Sequence, residues 1–402
     1  MATTTEQILN YPIVVDDGLE ISPIYRELQQ HGPIRVQMAY GGPCWVALGY
    51  EDCRAVHADR RFVKELGVGQ ILPRIHPMPP LDPSMLANMD APRHTRIRKL
   101  TTAAFARPRI LALHDWVEGI TYDLLDAMVA QGQPADFASA FVRNFPILVV
   151  SGILGVPGDD IPTFRHFVET MLDPTGTMET RGAASEQLRA YIQTLVATRR
   201  EHPTDDVLSD LVTARDEEDR LTEDELVMLC QSLFLGGFET TAAQLGATIY
   251  TLMSHPDLWQ ELVEDPDLLP AALEELWRWI PTTKYGNPLP RWAAEDVELS
   301  NGVVIPAGDV ILGERAVANR DESVFPHGWE LDFHREDPPP HLTLGWGPHH
   351  CVGANLAHME IELTLRKMLE RFPNLQLAIP AEDVQWSKRH LLRTVEALPL
   401  TW

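Results

Sequence analysis

Through the middle of this chain apolar residues recur every three or four positions, the spacing of helices that bury one face. Such segments run at 94–105, 109–130, 138–154, 160–172, 183–200 and 205–214, separated by Pro, Gly or Asp. A longer helix is expected over 222–253, opened by the capping box Thr222-x-x-Glu225. Shorter helices follow at 257–263 and 267–280, and a last one at 352–372.

The first ninety residues read differently. A helix over 22–30 precedes a hairpin of 34–38 and 44–48 through Gly41-Gly42-Pro43, then a short helix at 51–58. Residues 63–90 mix Pro73, Pro77, Pro79, Pro80 and Pro83 with apolar residues. They read as a long irregular loop, a type often used as a lid or binding segment. Strand-like pieces appear at 297–299, 303–305, 375–378 and 384–386. The expected fold class is mainly α with small β-sheets, and a doubly wound nucleotide-binding fold does not fit.

Composition narrows this further. The 402 residues are 45% hydrophobic, and the 32 prolines are scattered. With no repeat or low-complexity linker, residues 1–402 read as a single unit. The first twenty residues lack a charged n-region and an apolar h-region, so no signal peptide is expected. The most apolar stretch, 145–156, is too short to span a bilayer. A soluble, cytoplasmic monomer is therefore expected. A net charge of −25 argues against nucleic acid or an anionic membrane as partner. The four cysteines show no CxxC pairing, and Cys44, Cys53 and Cys230 read as packed hydrophobes.

Cys351 stands apart. It lies in Leu344-Gly345-Trp346-Gly347-Pro348-His349-His350-Cys351-Val352-Gly353, a glycine-rich loop directly ahead of a helix. Such a loop can present one thiolate to a haem iron, its glycines letting the backbone pass close to a flat macrocycle. A zinc site built from His349, His350 and Cys351 is the metal alternative, but the three are crowded in sequence and a fourth ligand is not evident. In the long helix, Leu235-Gly236-Gly237-Phe238-Glu239-Thr240-Thr241 breaks an apolar run. Each mid-helix glycine costs about 1 kcal/mol relative to alanine. A threonine there can bond back to a carbonyl one turn earlier and loosen the helix. Both features suit a place where the backbone meets a ligand.

The cysteine loop resembles that of the cytochrome P450 family, Phe-Gly-x-Gly-x-His-x-Cys-x-Gly, with Leu344 in place of Phe. The resemblance extends over essentially the whole chain and implies a single-domain cytochrome P450 fold, the haem lying between the long helix and the helix after the loop. It implies haem b as cofactor, Cys351 as axial ligand and Gly345 beside the macrocycle. His94, Arg98, Arg291 and His349 match the positions that hold the propionates. Thr240 would hydrogen-bond dioxygen or its water, and Glu239 would help relay protons. Glu275 and Arg278, with Arg335, match a structural network, although Leu331 stands where Phe is usual. Arg93, Arg96 and Lys99 would form a basic patch on the cysteine side for an acidic electron donor, ferredoxin with its reductase.

On the substrate side the resemblance points to 63–88, 164–181, 282–289 and 389–394, with Leu235, Phe238, Thr283, Asn287 and Leu391 as candidates. These stretches are mostly apolar with a few polar anchors, suited to a bulky hydrophobic molecule. The chain looks like bacterial members that tailor polyketides or macrolides, terpenoids or peptides. The leading expectation is a monooxygenase that hydroxylates or epoxidises such a compound. Oxidative coupling or ring closure is a second enzyme reading, and a haem sensor or carrier is the non-enzyme one.

Overall fold

The computed structural model describes residues 8–13, 18–75, 80–173, 175–216, 221–283, 289–387 and 392–402. The amino-terminal part holds β1 (Leu9–Tyr11), α1 (Ile24–Leu28), β2 (Ile34–Met38), β3 (Pro43–Ala47), α2 (Tyr50–Ala58) and β4 (Phe62–Val63). The hairpin forms as the alternation predicts, pairing Ile34 with Val46 and Val36 with Cys44. Val36, Met38, Cys44 and Val46 all point into the core. Gly41 turns the chain at φ +73°, where a Cβ would sit 2.0 Å from the Leu72 carbonyl oxygen.

Helices then dominate: α3 (Arg93–Ala104), α4 (Arg107–Leu111), α5 (His114–Ala130), α6 (Phe145–Ile153), α7 (Ile161–Leu172), α8 (Met178–Glu201) and α9 (Val207–Asp216). The two-residue β5 (Ala135–Asp136) sits among them, between α5 and α6. The expected helix over 109–130 is two helices, α4 and α5. The one over 138–154 opens as a π turn, Ala138–Val142, before α6 restarts with Pro146 in its first turn. A proline there lacks the N–H that would continue the earlier ladder.

Next comes α10 (Glu223–Ser254), which starts on the expected capping box, the Glu225 N–H donating to Thr222 Oγ1 at 3.1 Å and the Thr222 N–H to Glu225 Oε2 at 3.0 Å. It is long and apolar enough to cross a membrane by length and composition, yet 67% of its most apolar window is buried in the protein. That burial fits a core helix, and it packs against α6 and α8.

The rest comprises α11 (Pro256–Glu264), α12 (Leu269–Trp279), β6 (Arg291–Ala293), β7 (Val297–Glu298), β8 (Val304–Ile305), β9 (Val310–Gly313), α13 (Arg315–Ala318), α14 (Ala354–Arg371), β10 (Gln376–Leu377) and β11 (Pro399–Thr401). A six-stranded sheet runs β1-β2-β3-β9-β6-β4, a three-stranded one β10-β11-β5, and β7 pairs with β8. The expected strand at 384–386 is only a single bridge, Trp386 to Val395. Strands β1, β4, β5, β9 and β11 were not foreseen; at two to four residues, none is long enough to show an alternation. The large hydrophobic core lies among the helices, with two smaller clusters against the six-stranded sheet.

Candidate haem site

The loop before α14 ties itself into a fixed shape. Gly345 and Gly347 take φ of +80° and +67°, a region that side chains disfavour. The Gly345 N–H donates to the Leu342 carbonyl at 2.8 Å, and the Cys351 N–H to the Leu344 carbonyl at 2.8 Å. Gly347 rests on the end of α2, where a Cβ would lie 2.9 Å from the His57 carbonyl oxygen. Asn319, just past α13, accepts the Leu342 N–H at 2.7 Å and donates to Thr343 Oγ1 at 2.8 Å. Cys351 thus stands three residues ahead of α14, half-buried. Burial pushes its thiol pKa up, while a hydrogen bond from the Gly353 backbone and the charges of Arg98 and Arg315 favour the thiolate. Arg315 escaped the sequence reading because it belongs to no recognisable spacing; its Nη1 donates to the Thr343 carbonyl at 3.2 Å.

Beside the loop, cations and imidazoles crowd together. The rings of His94, on α3, and His349 lie 4.1 Å apart. Burial, then Arg291, His94, Arg98 and His57, pull the His349 pKa down to about 2, so it is neutral at pH 7. Burial and Arg315 lower the pKa of Arg291 to about 10, still charged. His94 Nε2 and Arg291 Nη1 are buried without a hydrogen-bond partner. Buried polar atoms without partners are costly, and the Arg291 cation among them suits an anion. The two propionates of haem b meet that need, so the residues present fit this cofactor.

Across the site, α10 stays helical through the glycine pair. Gly237 faces α6, where a Cβ would come within 3.0 Å of Val150 Cγ2, whereas a Cβ on Gly236 would point into open space. Thr240 donates to the Gly236 carbonyl at 2.5 Å, the one-turn back-bond expected of it. Gly236 and Thr240 are exposed, but Glu239 is buried. Burial, helped by Glu169, raises the Glu239 pKa to about 7, against the opposing charges of Arg143 and Arg165. Glu239 and Thr240 therefore look into different surroundings.

Glu275 and Arg278, one turn apart on α12, form a buried pair with 2.6 Å contacts from Nε and Nη2 of the arginine. Arg335 adds contacts of 3.2–3.3 Å to the same carboxylate, and the Asp332 N–H a further one at 3.0 Å. Arg278 Nη1 also donates to the carbonyls of Asn319 at 2.6 Å and Gly328 at 2.7 Å. Since Asn319 holds the cysteine loop, the network and the loop are mechanically joined.

Comparison with known proteins agrees with this geometry. The family described as Cytochrome P450 matches residues 160–378. The chain is 40% identical to the mycinamicin IV hydroxylase/epoxidase of Micromonospora griseorubida, over 98% of each. This chain belongs to the cytochrome P450 family. It is also 39% identical to the nocardicin C N-oxygenase of Nocardia uniformis subsp. tsuyamanensis, over 98% of each. A crystal structure of a cytochrome P450 with biaryl coupling reactivity superposes with a TM-score of 0.91 at 40% identity, covering 96% of this chain and 97% of that one. The protein is a P450 monooxygenase of the natural-product-tailoring type, with haem b as its cofactor.

Within this P450, the structure qualifies two expectations. Phe238 is 2% exposed, packed in the helical core, and Arg165 lies over its ring at 6.0 Å. The basic patch is partly neutralised, because Glu225 takes Arg93 at 3.0 Å and Arg96 at 2.7 Å. Burial would raise the Glu225 pKa, but Arg96, the Thr222 N–H and Arg93 hold it at about 2. Lys99 is exposed and makes no ion pair among the described residues. Of the substrate candidates, Leu235 and Thr283 are half-buried, and Thr283 bridges to Leu392. Asn287 and Leu391 lie outside the described residues.

Proposed function

We propose that this P450 inserts one oxygen atom into a bulky, largely hydrophobic natural product of the macrolide or polyketide, terpenoid or peptide class. Its electrons come from a ferredoxin and ferredoxin reductase, in the cytoplasm. Bound haem b supplies oxygen activation, with the cysteine thiolate favouring O–O cleavage. The chain's own part is positioning. Cys351 would hold the haem iron through its thiolate, which Arg98, Arg315 and the Gly353 backbone favour. His94, Arg98, Arg291 and His349 would hold the two propionates, giving the buried polar atoms partners. Thr240 offers its hydroxyl oxygen to the open side of α10, its proton committed to the Gly236 carbonyl. Glu239, titrating at about 7, can hold or release a proton at neutral pH, and the exposed Glu169 near it offers a way out to solvent.

The observation that carries this reading is the pairing of partnerless His94 Nε2 and Arg291 Nη1 with the self-bonded Cys351 loop. Its test is an optical titration of haem-loaded protein with macrolides, terpenoids, aromatic polyketides and cyclic peptides, following the Soret band. A saturable low- to high-spin shift with one class names the substrate class; a spectrum without thiolate character removes Cys351. The 40% identity to a P450 with biaryl coupling reactivity favours coupling as the second reading. Dimeric product from a phenolic substrate would select it.

A further inference from the structure

Glu274 precedes the buried Glu275 on α12 but faces the other way, exposed, toward the cysteine loop. Its two oxygens reach two imidazoles: Oε1 lies 2.9 Å from His358 Nε2, and Oε2 lies 3.4 Å from His341 Nε2. Trp277 lies against both rings, at 6.3 Å from His341 and 5.3 Å from His358. His341 stands at the start of the loop that leads to Cys351, and His358 on the first turns of α14 that follow it. One carboxylate therefore gathers both ends of the segment that presents the sulfur.

The partners assign the protons. His358 Nδ1 faces the Ala354 carbonyl at 2.8 Å, which can only accept, so Nδ1 carries a hydrogen. Its Nε2 faces a carboxylate, so it donates as well, and the ring is an imidazolium. His341 is the reverse case. Its Nδ1 accepts the Thr343 N–H at 3.2 Å, which leaves the hydrogen on Nε2, toward Glu274. In that tautomer both nitrogens of His341 are engaged, Nδ1 as acceptor and Nε2–H toward Glu274, so in this arrangement protons hold the three side chains together.

We propose that Glu274, His341 and His358 are positioning residues that clamp both ends of the Cys351 loop, the His358 imidazolium forming one jaw. The role in thiolate ligation rests on Cys351 being the axial ligand. Groups facing His358 are Glu274 on α12, Glu362 on its own helix, and His341 and His350 on the loop. Burial disfavours its charge, but the bonds to Glu274 and Ala354 and the charges of Glu274 and Glu362 outweigh it, and its pKa is raised. The carboxyl of Glu274 is correspondingly held well below the usual range by His341 and His358. A raised histidine pKa gives stability that is complete below the unfolded value of about 6.5 and lost as pH climbs through the folded one. The clamp is closed in mild acid and opens on the alkaline side.

The test compares wild type with Glu274→Gln, His358→Gln and His358→Arg, the last keeping a fixed cation. Two quantities are read from pH 5.5 to 9: the rate at which haem-loaded protein loses its thiolate spectrum, and the exchange protection of the Thr343 and Cys351 amides in haem-free protein. In wild type, thiolate loss accelerates roughly three- to tenfold across the alkaline window, the ratio that a half-exposed charge-assisted hydrogen bond supports. Both glutamine variants start at the faster level and are flat with pH, while His358→Arg stays slow throughout. Amide protection follows the same order. Variants indistinguishable from wild type at every pH overturn the clamp, as does stoichiometric Zn²⁺ binding that Glu274→Gln abolishes. A wild type without any thiolate spectrum removes Cys351 as ligand, and the amide arm then judges the clamp by itself.

Discussion

Around Cys351 the loop is satisfied by its own chain: Leu342, Leu344, Asn319 and Thr343 pair within it and with α12 and α13. A short way off, between α3 and β6, the opposite holds, with His94 Nε2 and Arg291 Nη1 buried and partnerless. In the first region the hydrogen bonds are completed by the chain itself. The second is unfavourable as it stands and becomes favourable only when carboxylates arrive. The comparison teaches where binding energy would enter on the proposed reading: at the buried polar atoms beside the loop, which haem propionates would complete, and not at the loop itself.

The self-satisfied side breaks most severely. Glu275→Gln leaves Arg278 and Arg335 buried without their charge partner, a loss of about 3–5 kcal/mol. Chemical denaturation of the haem-free protein measures it, and retention of haem should fall with it. Burial raises the Glu275 pKa, but Arg278 and Arg335 overcome that and depress it. This stabilisation is therefore present above the unfolded carboxyl pKa and fades as pH falls through the folded one.

Glu239 tests the opposite sign. Its pKa of about 7 exceeds the ordinary carboxyl value, so the folded state holds the extra proton and stability declines as pH rises from about 4.5 to 7. Glu239→Gln should remove that slope and leave the variant more stable above pH 7, by on the order of 2 kcal/mol. It should also slow turnover while leaving substrate affinity nearly unchanged, which stopped-flow and steady-state rates can separate. A variant with the wild-type slope would place the titration elsewhere.

The smallest effect belongs to the surface. Lys99→Ala should change stability by less than about 0.5 kcal/mol. It should reduce the rate of electron delivery from a ferredoxin at low salt, the difference vanishing at high salt. An unchanged rate at low salt moves the docking face elsewhere.

How much of this was legible in the residues differs from place to place. The Cys351 loop could be read because its chemistry lies in one short stretch, with glycines where the chain needs positive φ. The long helix could be read because thirty-two residues carry a strong apolar pattern and a capping box. Arg315, and the convergence of Glu274, His341 and His358, could not. Their partners come from separate segments, and no spacing rule brings them together. Phe238 is a different case: at about 100° per residue it lies roughly 200° from Thr240 on the helix, so periodicity alone argued against placing both on the open face. The two-residue strands were beyond any periodic signal.

The most direct test of the contrast is a thermodynamic cycle of haem addition against Arg291→Leu, read as thermal stability of haem-free and haem-loaded protein. The haem-free variant should be at least as stable as wild type, since a buried charge whose only hydrogen bond among the described residues is a 3.3 Å contact from Nε to the Val56 carbonyl has been removed. The haem-loaded variant should be less stable, by about 1–3 kcal/mol. A haem-free variant clearly weaker than wild type, with an unchanged gain on adding haem, would show that Arg291 serves the fold and not the cofactor.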